Sequence, residues 1–356
     1  MLIWWYKYLN NYSNNISYIS FRAIFSLLTA FFINLFIGPY FIKFFRKIQQ
    51  YQIIRKNGPK NHYTKNNTPT IGGLFIIISI VVSTILYCDL SNNYVWYVIS
   101  VLLSYGLIGY LDDYKKIKYN NSWGLTPFCK YFLLSIVALG IIYTMYNDSE
   151  KVISTQLIIP FFKKNIEINY LHIFLSYFVI VGTSNAVNLT DGLDGLAIMP
   201  VILLACGFTL ISLLSIDIKN SNYLNVDYIQ NSNELVVLCT AIIGSGLGFL
   251  WFNSYPAKIF MGDIGSLSLG GCLGTMAILL HQELLLIIMG GVFVFETISV
   301  ILQIISFKIR KKRIFKMAPI HHHYEMKGIL EPIIVVRFWI ISLILLLISL
   351  ISLKVC

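Results

Sequence analysis

The chain has 356 residues, 57% of them hydrophobic and only 12% charged, with a mean hydropathy of +0.72. An ordinary soluble domain carries about 25% charged residues, so the composition excludes a soluble globular protein and indicates an all-α integral membrane protein. The net charge of +11 does not point to nucleic acid, because the basic residues cluster beside apolar runs, where they set topology and attract anionic lipid.

A bilayer core of about 30 Å needs roughly 20 apolar residues per helix. Runs of that kind predict ten spans, at 23–45, 71–90, 94–111, 131–146, 170–187, 196–215, 234–252, 265–281, 284–306 and 333–354. Residues 1–20 lack the basic-then-apolar order and small-residue cleavage site of a signal peptide, so the first span is expected to remain as an anchor. Between the fourth and fifth spans, 147–169 contain Pro160 and a β-branched run from Val152 to Ile159, which suggests a short extracytoplasmic hairpin. His281-Gln282-Glu283 separates the eighth span from the ninth, and Gly290-Gly291 is expected to bend the ninth. The whole reads as a single polytopic membrane domain, 1–356.

Ten spans create two sets of loops. One set, 46–70, 112–130, 188–195, 253–264 and 307–332, holds 18 Lys and Arg, while the opposite set with both termini holds six. The positive-inside rule puts the first set in the cytoplasm and both termini outside. Four polar islands then fall on one cytoplasmic face: Asp112-Asp113, Asn188 to Gly195, Phe260-Met261-Gly262-Asp263, and His321-His322-His323.

Adjacent aspartates at a membrane face are costly to keep charged without a cation or water. A solvated helix end would explain Asp112-Asp113 alone. Asn188, Asp191 and Asp194 are spaced i, i+3, which on a helix gives one shared face, and a plain turn does not explain two carboxylates and an amide between spans. Asp263 adds a carboxylate at the next mouth. Oxygen-rich sites with few His or Cys ligands suit Mg²⁺ or Mn²⁺. Phe260 is either an interface aromatic or a ring that stacks on a base. Consecutive residues point in different directions, so His321, His322 and His323 are not expected to ligate one zinc ion; hydrogen bonding to phosphate or sugar fits them better. Lys65, Thr70 and the Thr68 to Gly73 run add groups suited to anionic phosphates, although Arg46, Lys47, Arg55 and Lys56 need only set topology. Glu296, inside the ninth span, is an intramembrane carboxylate and so a candidate functional group or an interhelical partner. The six cysteines form no C-x-x-C pair and read as apolar packing residues. Together these features describe phosphoryl transfer between a soluble nucleotide donor and a lipid acceptor.

From about residue 21 to the C-terminus the sequence resembles the MraY family, the phospho-N-acetylmuramoyl-pentapeptide transferases of bacterial cell-wall synthesis. These belong to the polyprenyl-phosphate N-acetylhexosamine 1-phosphate transferase superfamily. Asp112-Asp113, Asn188 to Gly195 and Gly262-Asp263 are shared across the superfamily, whereas Ala318 to Glu325 and Thr68 to Gly73 are specific to the family. The resemblance implies a multi-pass enzyme of the bacterial cytoplasmic (inner) membrane. It would transfer phospho-MurNAc-pentapeptide from UDP-MurNAc-pentapeptide to undecaprenyl phosphate, giving lipid I and UMP for peptidoglycan synthesis, with Mg²⁺ as cofactor and as a homodimer. By the same resemblance Asp263 would ligate Mg²⁺, Asp112 and Asp113 would bind or activate the lipid phosphate, and Asn188, Asp191, Asp194 and Phe260 would line the nucleotide pocket. Lys65, Thr70, Lys116, Lys130, Asn253, His321 and His322 would complete the polar site, with His321 among its catalytic groups. Glu296 would border the lipid groove. Two positions depart from the family pattern: Asn120 replaces a common lysine and Asn67 a usual glycine. A sister transferase acting on UDP-GlcNAc lacks the triple histidine, and a transporter would place ionisable groups near mid-membrane rather than crowd them at one face.

Overall fold

The computed structural model describes residues 16–47, 68–119, 124–148, 156–162, 165–218, 221, 226–229 and 231–355. Its elements in chain order are α1 (Ile16–Lys47), α2 (Gly73–Tyr87), α3 (Asn93–Lys118), α4 (Pro127–Tyr146), β1 (Gln156–Ile158), β2 (Asn165–Glu167), α5 (Leu171–Thr190), α6 (Ile198–Ser215), α7 (Asn233–Asn253), α8 (Gly262–Leu279), α9 (Glu283–Met289), α10 (Gly291–Arg310), α11 (Ile320–Glu325) and α12 (Glu331–Val355). Among the described residues nine helices are long and apolar enough to cross a membrane, and α2 is a tenth, shorter apolar helix. The all-α membrane architecture expected from composition is what the structure has.

α2 has 15 residues, about 22 Å at 1.5 Å per residue, and is shorter than a bilayer core. Its entry is a non-helical segment held to the 260–261 chain: Phe260 N–H donates to Pro69 O (2.9 Å), Gly72 N–H to Phe260 O (2.9 Å) and Gly73 N–H to Met261 O (2.8 Å). Backbone at membrane depth must find such internal partners. β1 and β2 pair antiparallel, Leu157 opposite Ile166, as the hairpin expected between the fourth and fifth spans.

α7 and α8 form the centre and are buried along nearly their whole length, while α4, α10 and α12 turn broad apolar sides outward. α1 packs along α7, and α8 lies between α3 and α5. Close approach explains the glycines of α8. A Cβ on Gly270 would lie 2.7 Å from Ser184 Cα of α5, and one on Gly274 would lie 2.9 Å from Ile180 Cα. Small residues spaced by four let membrane helices touch backbone to backbone. Polar glue adds to this packing where Asn34 Nδ2 donates to Ser245 O (2.8 Å) and to the hydroxyls of Ser245 and Ser79. At the far end of the bundle, Arg22 makes a buried bidentate pair with Glu234 (2.8 and 3.0 Å).

Helix ends differ from the hydropathy reading in one consistent way. α3 continues past Leu111 to Lys118, α5 past Val187 to Thr190, and α8 begins at Gly262 rather than 265. The first two polar islands are therefore carried partly on helix ends, not wholly in loops. In α3 this is favoured by an Asp112–Lys116 i, i+4 pair at 2.6 Å and by lysines at the negative end of the helix dipole. The ninth span is broken at Gly290, where α9 ends and α10 starts, matching the expected bend.

Candidate active site

The C-terminal ends of α3 and α5 and the N-terminal ends of α4 and α8 converge at one end of the bundle. Asp112 and Asp113 are 3% and 4% exposed, so two adjacent carboxylates lie inside the protein. With Asp263, from the first turn of α8, they present oxygens within 4.8 Å of one another. Among the described residues this is the only group of three or more acidic, His or Cys side chains placed to hold a metal ion.

The charges are compensated locally. Lys116 Nζ lies 2.6 Å from Asp112 Oδ2, 3.3 Å from Asp113 Oδ1 and 2.8 Å from Asp263 Oδ2. Lys130, one turn into α4, reaches Asp263 Oδ2 at 2.7 Å. Asn188 Nδ2 donates to the other oxygen, Asp263 Oδ1, at 2.9 Å. Three carboxylates against two ammonium groups leave the cluster one negative charge in excess. An ammonium group already stands where all three carboxylates meet, and the donors are oxygens only, so the residues fit a hard divalent cation.

Backbone geometry shapes the cluster. Leu125 N–H donates to Asp112 Oδ1 at 2.6 Å, and a Cβ on Gly124 would fall 2.4 Å from that same oxygen. Gly262 has φ +71, a left-handed conformation natural to glycine. A Cβ there would lie 2.6 Å from Asp113 Oδ2 and 2.9 Å from Thr70 Oγ1, so Gly262 brings Thr70 to the cluster's edge. Ile264 N–H donates to Asp113 Oδ2 at 3.3 Å. Phe260 is half-buried beside the cluster, its backbone fixed by Pro69 and Gly72.

The second island divides where the sequence suggested one face. α5 stops at Thr190, and Asp191 caps it. Burial, then the neighbouring carboxylates of Asp263, Asp113 and Asp194, push the Asp191 carboxyl up to about 8, against a backbone hydrogen bond from Gly262. Asp194 lies beyond the helix in a turn and faces elsewhere: its Oδ2 accepts from Ala257 N–H (3.0 Å) and its own N–H donates to Glu331 Oε1 (2.8 Å). The i, i+3 argument fails for Asp194 because the helix it assumed has ended. Asn253 is used similarly, its Oδ1 accepting from Gly195 N–H (3.0 Å) and its Nδ2 donating to Ile259 O (2.8 Å). Both residues brace the loops that frame the site.

The histidines point three ways. His321 is wholly buried, its Nδ1 3.1 Å from Glu296 Oε2 and its Nε2 so close to Gly192 that a Cβ there would stand 2.3 Å away. His322 Nδ1 pairs with Glu325 Oε2 at 2.6 Å. His323 Nδ1 accepts from Lys316 N–H at 3.1 Å. They share no ligand position, as expected. The fourth island meets the second through Gly192, the neighbour of Asp191. The Glu296 side chain is 0% exposed and faces His321, whereas Phe295, Ile298, Ile301 and Leu302 form the outer side of α10.

Lys65, Asn67 and Asn120 lie outside the described residues. Sequence reasoning missed Gly124, Glu331, and Trp339, whose Nε1 donates to Gly195 O at 3.1 Å. It also missed Gln303, whose amide accepts from Ile314 and Phe315 N–H (3.0 Å each) and pins the basic segment back onto α10. These are long-range contacts without a local signature. Only the glycine of Trp123-Gly124-Leu125, close after the aspartate pair, gave a signal that could have been read.

The chain is similar to known proteins along its whole length. Residues 95–281 match the family model described as Glycosyl transferase family 4. Three relatives from Buchnera aphidicola subsp. Acyrthosiphon pisum are each named phospho-N-acetylmuramoyl-pentapeptide-transferase. Strain Tuc7's protein is 73% identical over 357 residues, covering 100% of both chains. Those of strains APS and 5A are 74% identical with the same full coverage.

Proposed function

The chain belongs to the phospho-N-acetylmuramoyl-pentapeptide-transferase family, a multi-pass transferase of the bacterial inner membrane, and from that membership we propose its reaction in full. It transfers phospho-MurNAc-pentapeptide from UDP-MurNAc-pentapeptide to undecaprenyl phosphate, forming lipid I and UMP. The observation that carries this reading is the convergence of Asp112, Asp113 and Asp263 on Lys116 at the end of the helix bundle. A site of that kind can meet both a water-soluble nucleotide and a lipid phosphate.

In the reaction, an oxygen of the lipid phosphate forms a bond to the sugar-linked phosphorus. The bridging P–O bond of the pyrophosphate breaks, and UMP departs as a phosphomonoester. A phosphomonoester has a second pKa of about 6, so the acceptor is already mostly dianionic at neutral pH and needs positioning more than deprotonation. Asp112 suits that role better than nucleophilic attack, because one oxygen accepts from Leu125 N–H and the other faces Lys116. Asp112, Asp113 and Asp263 would hold Mg²⁺, which would offset charge on the pyrophosphate. Lys116 and Lys130 supply cationic contacts for phosphate oxygens. Thr70, Asn188 and Asp191 edge the donor side, and Phe260 is the ring that would stack on a flat base. His322 is read as a contact for the phosphate or sugar, and His321, buried behind Gly192, as a group at the wall of that site.

The converging face lies in the cytoplasm in this reading, supported by the excess of Lys and Arg in loops 46–70, 112–130, 253–264 and 307–332. Both termini are then outside, and the enzyme works as a homodimer. The substrate assignment is tested with purified protein, Mg²⁺ and undecaprenyl phosphate, offered UDP-MurNAc-pentapeptide or UDP-GlcNAc. UMP release with the first alone is expected; release with UDP-GlcNAc alone would move the chain to the sister activity.

A further inference from the structure

Among the buried carboxylates that the reaction as described does not use, Glu296 lies nearest to the histidine segment. Glu296 lies on α10, the helix after the Gly290 break, and is 0% exposed. Its Oε2 is 3.1 Å from Nδ1 of His321, which is 0% exposed as well. That separation is ion-pair range but off the line of a formed hydrogen bond, and among the described residues neither Glu296 oxygen has a hydrogen-bond partner. A carboxylate buried this way inside a membrane bundle is costly unless it meets a proton or a cation. The nearest group able to provide either is the imidazole.

The other side of the ring is equally constrained. Nε2 of His321 abuts Gly192, where a Cβ would stand 2.3 Å away, with Cε1 at 2.9 Å. Gly192 adjoins Asp191, at the wall of the carboxylate cluster. The imidazole is thus held between an acidic group behind Nδ1 and the site wall in front of Nε2. Its neighbour repeats the arrangement: His322 Nδ1 is 2.6 Å from Glu325 Oε2, and the two rings meet edge-on with centroids 4.2 Å apart.

We propose that Glu296 is a positioning residue for His321: it keeps the proton on Nδ1 and aims Nε2 at the donor-binding wall beside Gly192. An ionised carboxylate only accepts, so it selects the tautomer with Nδ1–H, and that choice fixes what the opposite nitrogen can do. Glu296 therefore acts through His321 and touches no substrate. The break at Gly290 gives α10 its own direction, which lets a residue of the ninth span reach the histidine segment 25 positions later.

This inference rests on the reading of His321 as a donor-site group, and two measurements separate their failures. The first is a double-mutant cycle on kcat/KM for UMP release from UDP-MurNAc-pentapeptide. Glu296→Ala should lower kcat/KM about ten- to a hundredfold, the range seen when the partner behind a metal-bound imidazole is removed. Added to His321→Ala it should cost no more than about twofold, because the two act as one unit. Glu296→Gln, whose amide oxygen still accepts from Nδ1–H, should recover much of the loss. Equal costs of Glu296→Ala with and without His321 would overturn the proposal, since a structural role would persist in both backgrounds. The second is ¹⁵N-histidine NMR of the wild type, Glu296→Gln and Glu296→Ala, with His321 assigned from its loss in His321→Gln. Nδ1 should be protonated in the wild type and lose that preference in Glu296→Ala. An unchanged His321 spectrum would refute the positioning role whatever the activity. If Glu296→Ala does not fold, Gly192→Ala displaces the ring from its other side and should produce the same kinetic non-additivity with His321→Ala.

Discussion

Replacing Asp263 by Asn removes one charge and almost no volume from the point where the site's contacts meet. Asp263 receives Lys116 at 2.8 Å, Lys130 at 2.7 Å and Asn188 at 2.9 Å. The cluster has three carboxylates and two lysines, so the change takes its net charge from −1 to zero. One unit charge acting at about 4 Å with an effective dielectric of about 20 is worth about 4 kcal/mol. At 1.36 kcal/mol per decade this is a fall of about a thousandfold in kcat/KM. Mn²⁺ binding followed by electron paramagnetic resonance should weaken in parallel, a readout that needs no turnover. Fold should survive, because losing two lysine contacts is partly offset by relief of repulsion from Asp112 and Asp113. Wild-type turnover and Mn²⁺ affinity in a folded Asp263→Asn protein would refute the reasoning.

Four further outcomes follow from the same geometry. Asn188→Ala deletes a hydrogen bond to a charged acceptor, worth roughly 1.5–3 kcal/mol, and should reduce kcat/KM roughly ten- to a hundredfold in the UMP-release assay. Gly124→Ala drives a methyl group against Asp112 Oδ1; at least about a tenfold loss is expected, equivalent to about 1.4 kcal/mol, with UMP affinity by calorimetry unchanged. Asp191 titrates near 8 in the fold against about 3.9 unfolded, so its stabilising contribution is full below about pH 4 and is lost as pH rises toward 8. Asp191→Asn should accordingly flatten the pH dependence of the melting temperature across that window, and an unaltered slope would count against the shift. Cys129 is half-buried at the start of α4, on the converging face. In a Cys356→Ser background, intact cells should label it only with a membrane-permeant maleimide; labelling by an impermeant reagent would invert the proposed topology.

Much of the architecture was legible because hydropathy and the bilayer's thickness act on every span alike. Runs of apolar residues located the ten long helices of the bundle but not the short α11, which lies in the 307–332 stretch read as loop. Even the weak separators, His281 to Glu283 and Gly290, fell at real breaks. What hydropathy loses is where a helix goes on carrying polar groups. Asp112, Asp113, Lys116 and Asn188 ended the apolar runs yet remain helical; in α3 the Asp112–Lys116 i, i+4 pair and the lysines at the negative end of the dipole offset the aspartates. Residue chemistry singled out Asp112, Asp113, Asn188 and Asp263, whereas Lys116 and Lys130 entered only through the family resemblance. For Asp194 and Asn253 the residue types were suggestive but their partners are backbone groups of neighbouring loops, and nothing local announces such a bond. Glu296 stood out as an intramembrane carboxylate, whereas its partner depends on how α10 and α11 pack.

Which bond breaks is the most direct question for the account. UDP-MurNAc-pentapeptide labelled with ³²P at the sugar-linked phosphorus, incubated with the enzyme, Mg²⁺ and undecaprenyl phosphate, should deliver its label to the lipid phase together with the sugar and leave unlabelled UMP. Label retained in a released nucleoside diphosphate would mean that the sugar alone had moved, and would contradict phosphoryl transfer at the Asp112, Asp113 and Asp263 site.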